Sequence, residues 1–376
     1  MSTVSELAGQ LLIVGFEGQN CGSDLSRLLR SVRPGGVVFF QRNLASAEQF
    51  HSLVSQVRGV LGSPSPFLAI DLEGGAVDRF RELLAPLPSA QEAARAGLAR
   101  ELGEMAGREL AAFSLNVDFA PVLDLASPAS QPVLATRTAG ASPNQVIQFA
   151  ERFLAGLDEW QICGCGKHFP GLGAGAKDSH IGMPAIEKTE ESLWHEDLLP
   201  FRMLSDRLLM IMVAHAWYPE LEKALASDPA EVSQPVPASL SRNIVTGLLR
   251  ERIGYRGLIV CDDLEMGGVL ERRSIEEAAV SAVRAGCDIL LVCRHADNVQ
   301  RVHAALVREA ENRPEFRERL EQSATKIADV SRRYHSDKPQ MTFANLDVLR
   351  RDIRNLAEEV RLRLARREAH PAKEGR

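Results

Sequence analysis

Gly166-Lys167-His168-Phe169-Pro170-Gly171-Leu172-Gly173-Ala174-Gly175-Ala176-Lys177-Asp178-Ser179-His180 is where one element of this chain ends and a loop begins. An apolar run from Ile162 leads into it, and Gly171, Gly173 and Gly175 then crowd three glycines into five residues. Glycine adopts backbone angles that other residues avoid, so the segment is expected to be a mobile loop and not a helix. In an extended Asp-x-His the side chains of Asp178 and His180 fall on one side of the backbone. An ionised Asp178 would then orient the His180 ring and support its charged form. A surface loop with an incidental histidine is the bland alternative. A strand end that opens into a loop bearing a proton-transfer pair is the layout of barrel enzymes.

Working outward, seven more apolar runs resemble the one at Ile162–His168. They are Leu11–Val14, Gly36–Phe40, Phe67–Asp71, Leu115–Phe119, Leu209–His215, Leu258–Asp262 and Asp288–Cys293. Each is mostly apolar, as strands buried on both faces of a parallel sheet must be. Amphipathic stretches separate them, the clearest being Ser46–Leu61, Ala90–Phe113, Pro143–Leu157, Leu240–Arg252 and Ser274–Ala285. Ser239 or Ser241 can serve as an N-cap, and Gly286 stands where a helix-ending glycine is expected. Eight β-α repeats predict an α/β fold of the (β/α)8 TIM-barrel type, with a doubly wound open sheet as competitor. Polar residues at many strand ends favour the barrel: Asp71, Asp118, His168, His215 and Asp262. An open sheet would gather its chemistry at one switch point.

The chain has 376 residues, more than the roughly 250 a barrel needs. Pro314–Tyr334 and Leu346–Arg367 read as amphipathic helices packed outside the barrel. Residues 1–340 are therefore assigned to one catalytic barrel domain, and 341–376 to a C-terminal helix and a frayed tail from Arg366. Glu220–Pro237, rich in Pro, Ala, Ser and acids, reads as a long loop over the barrel mouth. With 45% hydrophobic and 25% charged residues the chain is globular. A net charge of −6 and scattered basic residues argue against a nucleic-acid partner. No apolar stretch is long enough for a membrane span, and the N-terminus lacks the basic and apolar regions of a signal peptide. The cysteines at 21, 163, 165, 261, 287 and 293 mostly lie in apolar runs, which suits free thiols in a reducing cytoplasm. Cys163 and Cys165 lack the second ligand pair of a zinc site.

Four clusters carry candidate chemistry. Asp71-Leu72-Glu73-Gly74-Gly75, with Arg79 and Arg81 beyond it, suits gripping a polyhydroxylated ligand, or else is a buried pair that fixes a loop. The second cluster runs from Asp118 to Asp124, with Arg137 beyond, and in it Asp118 alone reads as a structural loop anchor more than as a catalyst. Lys167 and His168 are adjacent, so alternation predicts that only one of them enters the mouth. Cys261-Asp262-Asp263-Leu264-Glu265-Met266 delivers a carboxylate on an apolar strand, as a carboxylate nucleophile requires. The competing reading is an Asp pair capping the next helix, which Asp263 fits better than Asp262.

Taken together, these motifs resemble glycoside hydrolase family 3, of the β-N-acetylhexosaminidase type. The resemblance runs from Gly35-Gly36-Val37-Val38-Phe39-Phe40-Gln41-Arg42-Asn43 to Ala285-Gly286-Cys287-Asp288. It includes Asp71-Leu72-Glu73-Gly74-Gly75, Lys167-His168-Phe169-Pro170-Gly171, Asp178-Ser179-His180, Pro237-Ala238-Ser239-Leu240-Ser241 and Cys261-Asp262-Asp263-Leu264. Their order and spacing are more specific than any one of them. The resemblance implies a (β/α)8 barrel and a retaining exo-glycosidase that needs no cofactor or metal. Asp262 would be the nucleophile, and His180, paired with Asp178, the general acid and then base. Asp71, Arg79, Arg137, Lys167 and His168 would hold the sugar. The implied substrate is a terminal β-linked N-acetylglucosamine, typically on muropeptide fragments in cytoplasmic cell-wall recycling, and the implied assembly is a monomer or weak homodimer. The chain departs from the family pattern at Leu172, usually histidine, and at Ala174-Gly175, usually Asp-Thr. Leu134-Ala135-Thr136-Arg137-Thr138 also follows the family's Gly-x-Arg-Ser only loosely. A sugar-binding barrel without catalysis, a family enzyme of shifted specificity or phosphate acceptor, and a metal hydrolase using His168, Asp178, His180 and His215 stay open as other readings.

Overall fold

A computed structural model describes residues 2–62, 65–175, 182–227, 234–334 and 345–369. Asp178 and His180 lie outside the described residues, as do positions 228–233 and the tail from position 370 onward.

Eight parallel strands close into a barrel: β1 (Leu12–Val14), β2 (Gly36–Phe39), β3 (Phe67–Ile70), β4 (Val117–Asp118), β5 (Cys163–Phe169), β6 (Met210–Val213), β7 (Leu258–Asp263) and β8 (Ile289–Val292). Each pairs with its sequence neighbours, and β1 closes on β8 through Leu12 opposite Leu290. The eight runs read from the sequence are these strands. Apolar side chains fill the interior and also meet the outer helices, so both strand faces are buried.

Local sequence sets the helix ends. Ser46 accepts a hydrogen bond from the Gln49 N–H at 3.2 Å and starts Ala47–Leu61. Reciprocal Ser142/Gln145 and Ser274/Glu277 capping boxes start Pro143–Glu159 and Ile275–Ala285. Gly286 ends the latter at φ 118°. The stretch Ala90–Phe113 is not one helix. Gly97 turns left-handed at φ 71° and splits it into Ala90–Ala96 and Ala99–Ala112. The stretch from Leu240 is a short turn, Ala238–Leu240, followed by a π-helix, Asn243–Arg252. Of the two N-cap candidates, it is Ser241 whose hydroxyl accepts from a helix N–H, that of Ile244 at 3.2 Å.

Three further features differ from expectation. Leu72–Gly74 and Val77–Asp78 form an antiparallel hairpin directly after β3, too short to show a pattern in sequence. Glu220–Pro237 opens as a helix, Pro219–Leu225, with proline at its first position, and not as a continuous loop. The last helix, Leu346–Ala369, extends past Arg366, where fraying was expected. Arg108 pairs with its Asp352 at 2.7 Å, and Leu349 and Ile353 are fully buried.

The base of the barrel is fastened by Asp288, fully buried just before β8. Its carboxylate accepts from Arg250, from Arg319 at 2.9 Å, and from the Ile259 N–H at 3.1 Å. On the outer wall, Ala99–Ala112 and Pro143–Glu159 pack backbone to backbone through Gly103 and Gly156. A Cβ on Gly103 would fall on the Phe153 carbonyl oxygen, and one on Gly156 on the Arg100 carbonyl oxygen. Helix axes that close leave no room for a methyl group. Gly103→Ala is therefore expected to lower stability by about 1–3 kcal/mol in denaturant unfolding. An unchanged midpoint would mean that the two helices can separate freely.

Candidate active site

The carboxyl ends of the strands surround a cavity of about 220 Å³. This is below the roughly 300–1,000 Å³ usual for ligand pockets, and suits one small ring. Its polar wall holds Asp71, Glu73, Arg79, Arg137, Lys167, His168, Asp262 and Asp263. Its apolar wall includes Phe40, Phe119, Leu172, Met212, Met266 and Cys293. Six of the residues singled out in sequence, Asp71, Arg79, Arg137, Lys167, His168 and Asp262, thus meet in one place. Asp178 and His180 lie outside the described residues.

A lattice of buried charges forms the floor. Lys167, delivered by β5, donates to Asp71 at 2.7 Å and contacts Glu73 at 2.6 Å. Arg137 donates to both oxygens of Glu73, at 2.7 and 2.8 Å, a bidentate pairing. Arg79 stands 3.8 Å from Asp71. Burial alone would raise the carboxyls of Asp71 and Glu73. The cations outweigh it, so both are held below the ordinary carboxylate range, Glu73 far below. Burial would likewise lower Lys167, yet its two carboxylates keep it above a normal ammonium. These groups are fully ionised at any physiological pH.

Lys167 and His168 both line the cavity, contrary to the alternation expected of a regular strand. The reason is local. The register between β5 and β6 slips between Lys167 and Phe169, so the simple period of two does not hold there. His168 is fixed by Asp124, which lies 2.8 Å from its Nδ1. A carboxylate can only accept, so Nδ1 carries the hydrogen and Nε2 remains for a ligand. Asp124 also accepts from the Leu172 N–H at 2.7 Å and so anchors the start of the glycine loop. That start is packed: Tyr218 donates to the Gly171 carbonyl at 2.7 Å, and a Cβ on Gly173 would strike the Leu125 carbonyl. The glycines here serve close approach as well as conformational freedom. Asp118 lies behind the floor and accepts from the Leu72 N–H at 3.0 Å. Burial pushes its carboxyl well above normal.

Asp262 ends β7. Its Oδ1 accepts from the Asp263 N–H at 2.8 Å. Asp263 accepts from the N–H groups of Glu265 at 3.1 Å and Cys293 at 3.2 Å, so it ties the loop after β7 to the end of β8. Glu73 and Asp124 were given no individual role from sequence; Asp263 was read as a helix cap, but the helix that follows, Gly267–Leu270, has Met266 at its cap and no side-chain bond there. Glu73 could have been found as the second acid of Asp71-Leu72-Glu73. The partnership of Asp124 with a histidine 44 residues away has no local signal. Of the residues in the metal reading, His215 has both ring nitrogens engaged, by Ser239 at 2.7 Å and the Asp263 carbonyl at 2.9 Å, and His168 is held at Nδ1 by Asp124, while Asp178 and His180 lie outside the described residues.

Burial pushes Asp263 up to about 7, with the charges of Glu265 and Asp262 adding to it and the two N–H donors opposing. In the unfolded chain the group titrates at about 3.9. Between these values the folded protein binds the extra proton, so stability falls as pH rises from about 4 to about 7 and levels off above. Asp263→Asn should flatten that slope in thermal unfolding measured across the range. Parallel curves for wild type and variant would show that this carboxyl is not shifted.

Residues 3–330 match the model of the glycosyl hydrolase family 3 N-terminal domain. The chain is 34% identical over 289 residues to the Beta-hexosaminidase of Idiomarina loihiensis, covering 75% of this chain and 83% of that protein. It is 36% identical over 305 residues to the Beta-hexosaminidase of Thioalkalivibrio sulfidiphilus, covering 78% and 84%. The solved structure of a family 3 β-N-acetylglucosaminidase from a Paenibacillus species superposes with a TM-score of 0.85 at 29% identity, covering 96% of this chain and 69% of that one.

Proposed function

The chain belongs to glycosyl hydrolase family 3 and is a glycoside hydrolase, and on that premise we propose that it is a retaining exo-β-N-acetylglucosaminidase. The observation that carries this reading is the convergence of Asp262 with Asp71, Arg79, Arg137, Lys167 and His168 on one small cavity. The names of its relatives, Beta-hexosaminidase and β-N-acetylglucosaminidase, support an N-acetylated hexose as the terminal sugar.

The mechanism follows from charge and position. The ionised lattice of Asp71, Glu73, Arg137 and Lys167 offers fixed acceptors and donors to sugar hydroxyls, while the apolar wall covers the ring's C–H faces. Asp262 attacks the anomeric carbon and forms a glycosyl ester as the glycosidic C–O bond breaks. His180, supported by Asp178, gives its proton to the departing oxygen. His180 then takes a proton from water, whose oxygen attacks the same carbon and releases Asp262. Two inversions give net retention. The transition state is cationic, so the Asp262 carboxylate stabilises it as well as attacking. Among the described residues all six cysteines are free thiols, in keeping with a cytoplasmic enzyme that acts on muropeptide fragments in cell-wall recycling.

Wild-type protein should release the chromophore from an aryl β-N-acetylglucosaminide. A fluorinated N-acetylglucosaminyl donor should label Asp262, and a label on any other residue would overturn the nucleophile. His180→Ala should keep binding and lose turnover by roughly 10²–10⁴-fold, least for substrates with good leaving groups. An undiminished rate on a natural disaccharide would remove His180 from the reaction.

A further inference from the structure

The backbone ladder that aligns β7 fails at Asp262. On the β8 side, Cys261 pairs with Leu290 and Asp263 with Leu291, so the register skips Asp262. On the β6 side the ladder ends at Val213 opposite Cys261. Asp262 therefore occupies a bulge where neither neighbouring strand fixes it. A bulge re-aims a side chain but leaves it less constrained by the sheet. Something else must hold the carboxylate.

We propose that His215 is a positioning residue that holds the Asp262 carboxylate in place by fastening Asp263 to the end of β6. This role presupposes Asp262 as the nucleophile. His215 is fully buried two residues beyond β6. Its Nε2 lies 2.9 Å from the Asp263 carbonyl oxygen. A carbonyl only accepts, so Nε2 carries a hydrogen. Its Nδ1 lies 2.7 Å from the Ser239 hydroxyl. Ser239 is itself fixed at both backbone groups: its N–H donates to the Ala214 carbonyl at 3.2 Å, and its carbonyl accepts from the Cys287 thiol at 3.4 Å. This gives Pro237-Ala238-Ser239-Leu240-Ser241 a purpose, in which one serine caps the helix and the other orients the ring.

The chain of contacts ends on the reacting group. Asp263 is held at its carbonyl by His215 and at its carboxylate by the Glu265 and Cys293 N–H groups. Its own N–H, thus aimed, donates to Asp262 Oδ1 at 2.8 Å. That bond sets the plane of the carboxylate and leaves the other oxygen to attack.

The test is the rate at which an activated fluorinated N-acetylglucosaminyl donor labels Asp262, a step that needs little acid assistance. It is read beside kcat, KM and the melting temperature. His215→Leu should slow labelling by roughly 10–100-fold, the scale of a misplaced reacting group, with KM little changed. His215→Gln, which can still donate to the Asp263 carbonyl, should recover much of that loss. Ser239→Ala should produce a smaller loss of the same kind. If His215→Leu does not fold, the glutamine and Ser239 variants carry the test. Wild-type labelling rates in folded variants would overturn the proposal. So would a fall in rate that only follows the melting temperature and is not recovered by glutamine. A wild-type protein that is not labelled at Asp262 would instead overturn the functional reading, whatever the His215 variants do.

Discussion

The structure depends on one ammonium group taken out of water. Lys167 sits at the centre of the barrel mouth with carboxylates on two sides, and one of these is shared with Arg137. Removing such charges from solvent costs several kcal/mol per ion, so the arrangement persists only where every partner is present. Its members come from β5, from the residue just after β3, from the hairpin that follows and from the short turn Ala135–Arg137. Strand register, hairpin geometry and the path of the loop beyond β4 must all be correct for the charges to balance. The lattice therefore couples the closing of the barrel to the making of a sugar-sized site. It also keeps that site anionic and cationic at fixed points across the physiological pH range.

The strands were the most legible part of the chain. A strand buried on both faces must be apolar throughout, and that constraint is written locally in runs such as Phe67–Ile70 and Leu258–Val260. Helix starts were legible for the same reason, since Ser46 and Ser274 each act on an N–H three residues away. The family motifs led to most of the candidate site, because Asp71, Lys167, His168 and Asp262 stand at strand ends. What escaped was non-local or exceptional. The split at Gly97 depends on a single left-handed residue within an otherwise helical pattern. The joint exposure of Lys167 and His168 to the cavity depends on a slipped register. Asp124 could be paired with His168 only once the barrel had brought β4 and β5 side by side.

The glycine segment shows how one composition serves two ends. Mobility was the expectation for all of it. Its described beginning is instead pinned by Asp124, Tyr218 and Ser127, and Gly171 is packed against Asp197. A residue without a side chain is needed at Gly171 because the Asp197 side chain is close, and at Gly173 because the Leu125 backbone is, a requirement that composition alone cannot distinguish from freedom of motion. Leu172 within this anchored stretch faces the cavity as an apolar group. Its departure from the family's histidine therefore alters the wall of the site and not merely a surface loop.

The Asp288 clamp lies at the other end of the barrel from all of this. It joins Arg250, Arg319 and the first residues of β7 without contributing to the cavity. Closure is thus secured where no substrate binds, as barrels generally separate their stabilising face from their reactive one. For a lineage of such proteins, this division of labour widens the range of tolerable change. Residues around the rim can drift toward new sugars or new leaving groups, generation by generation, while the foot of the cylinder keeps each intermediate sequence folded.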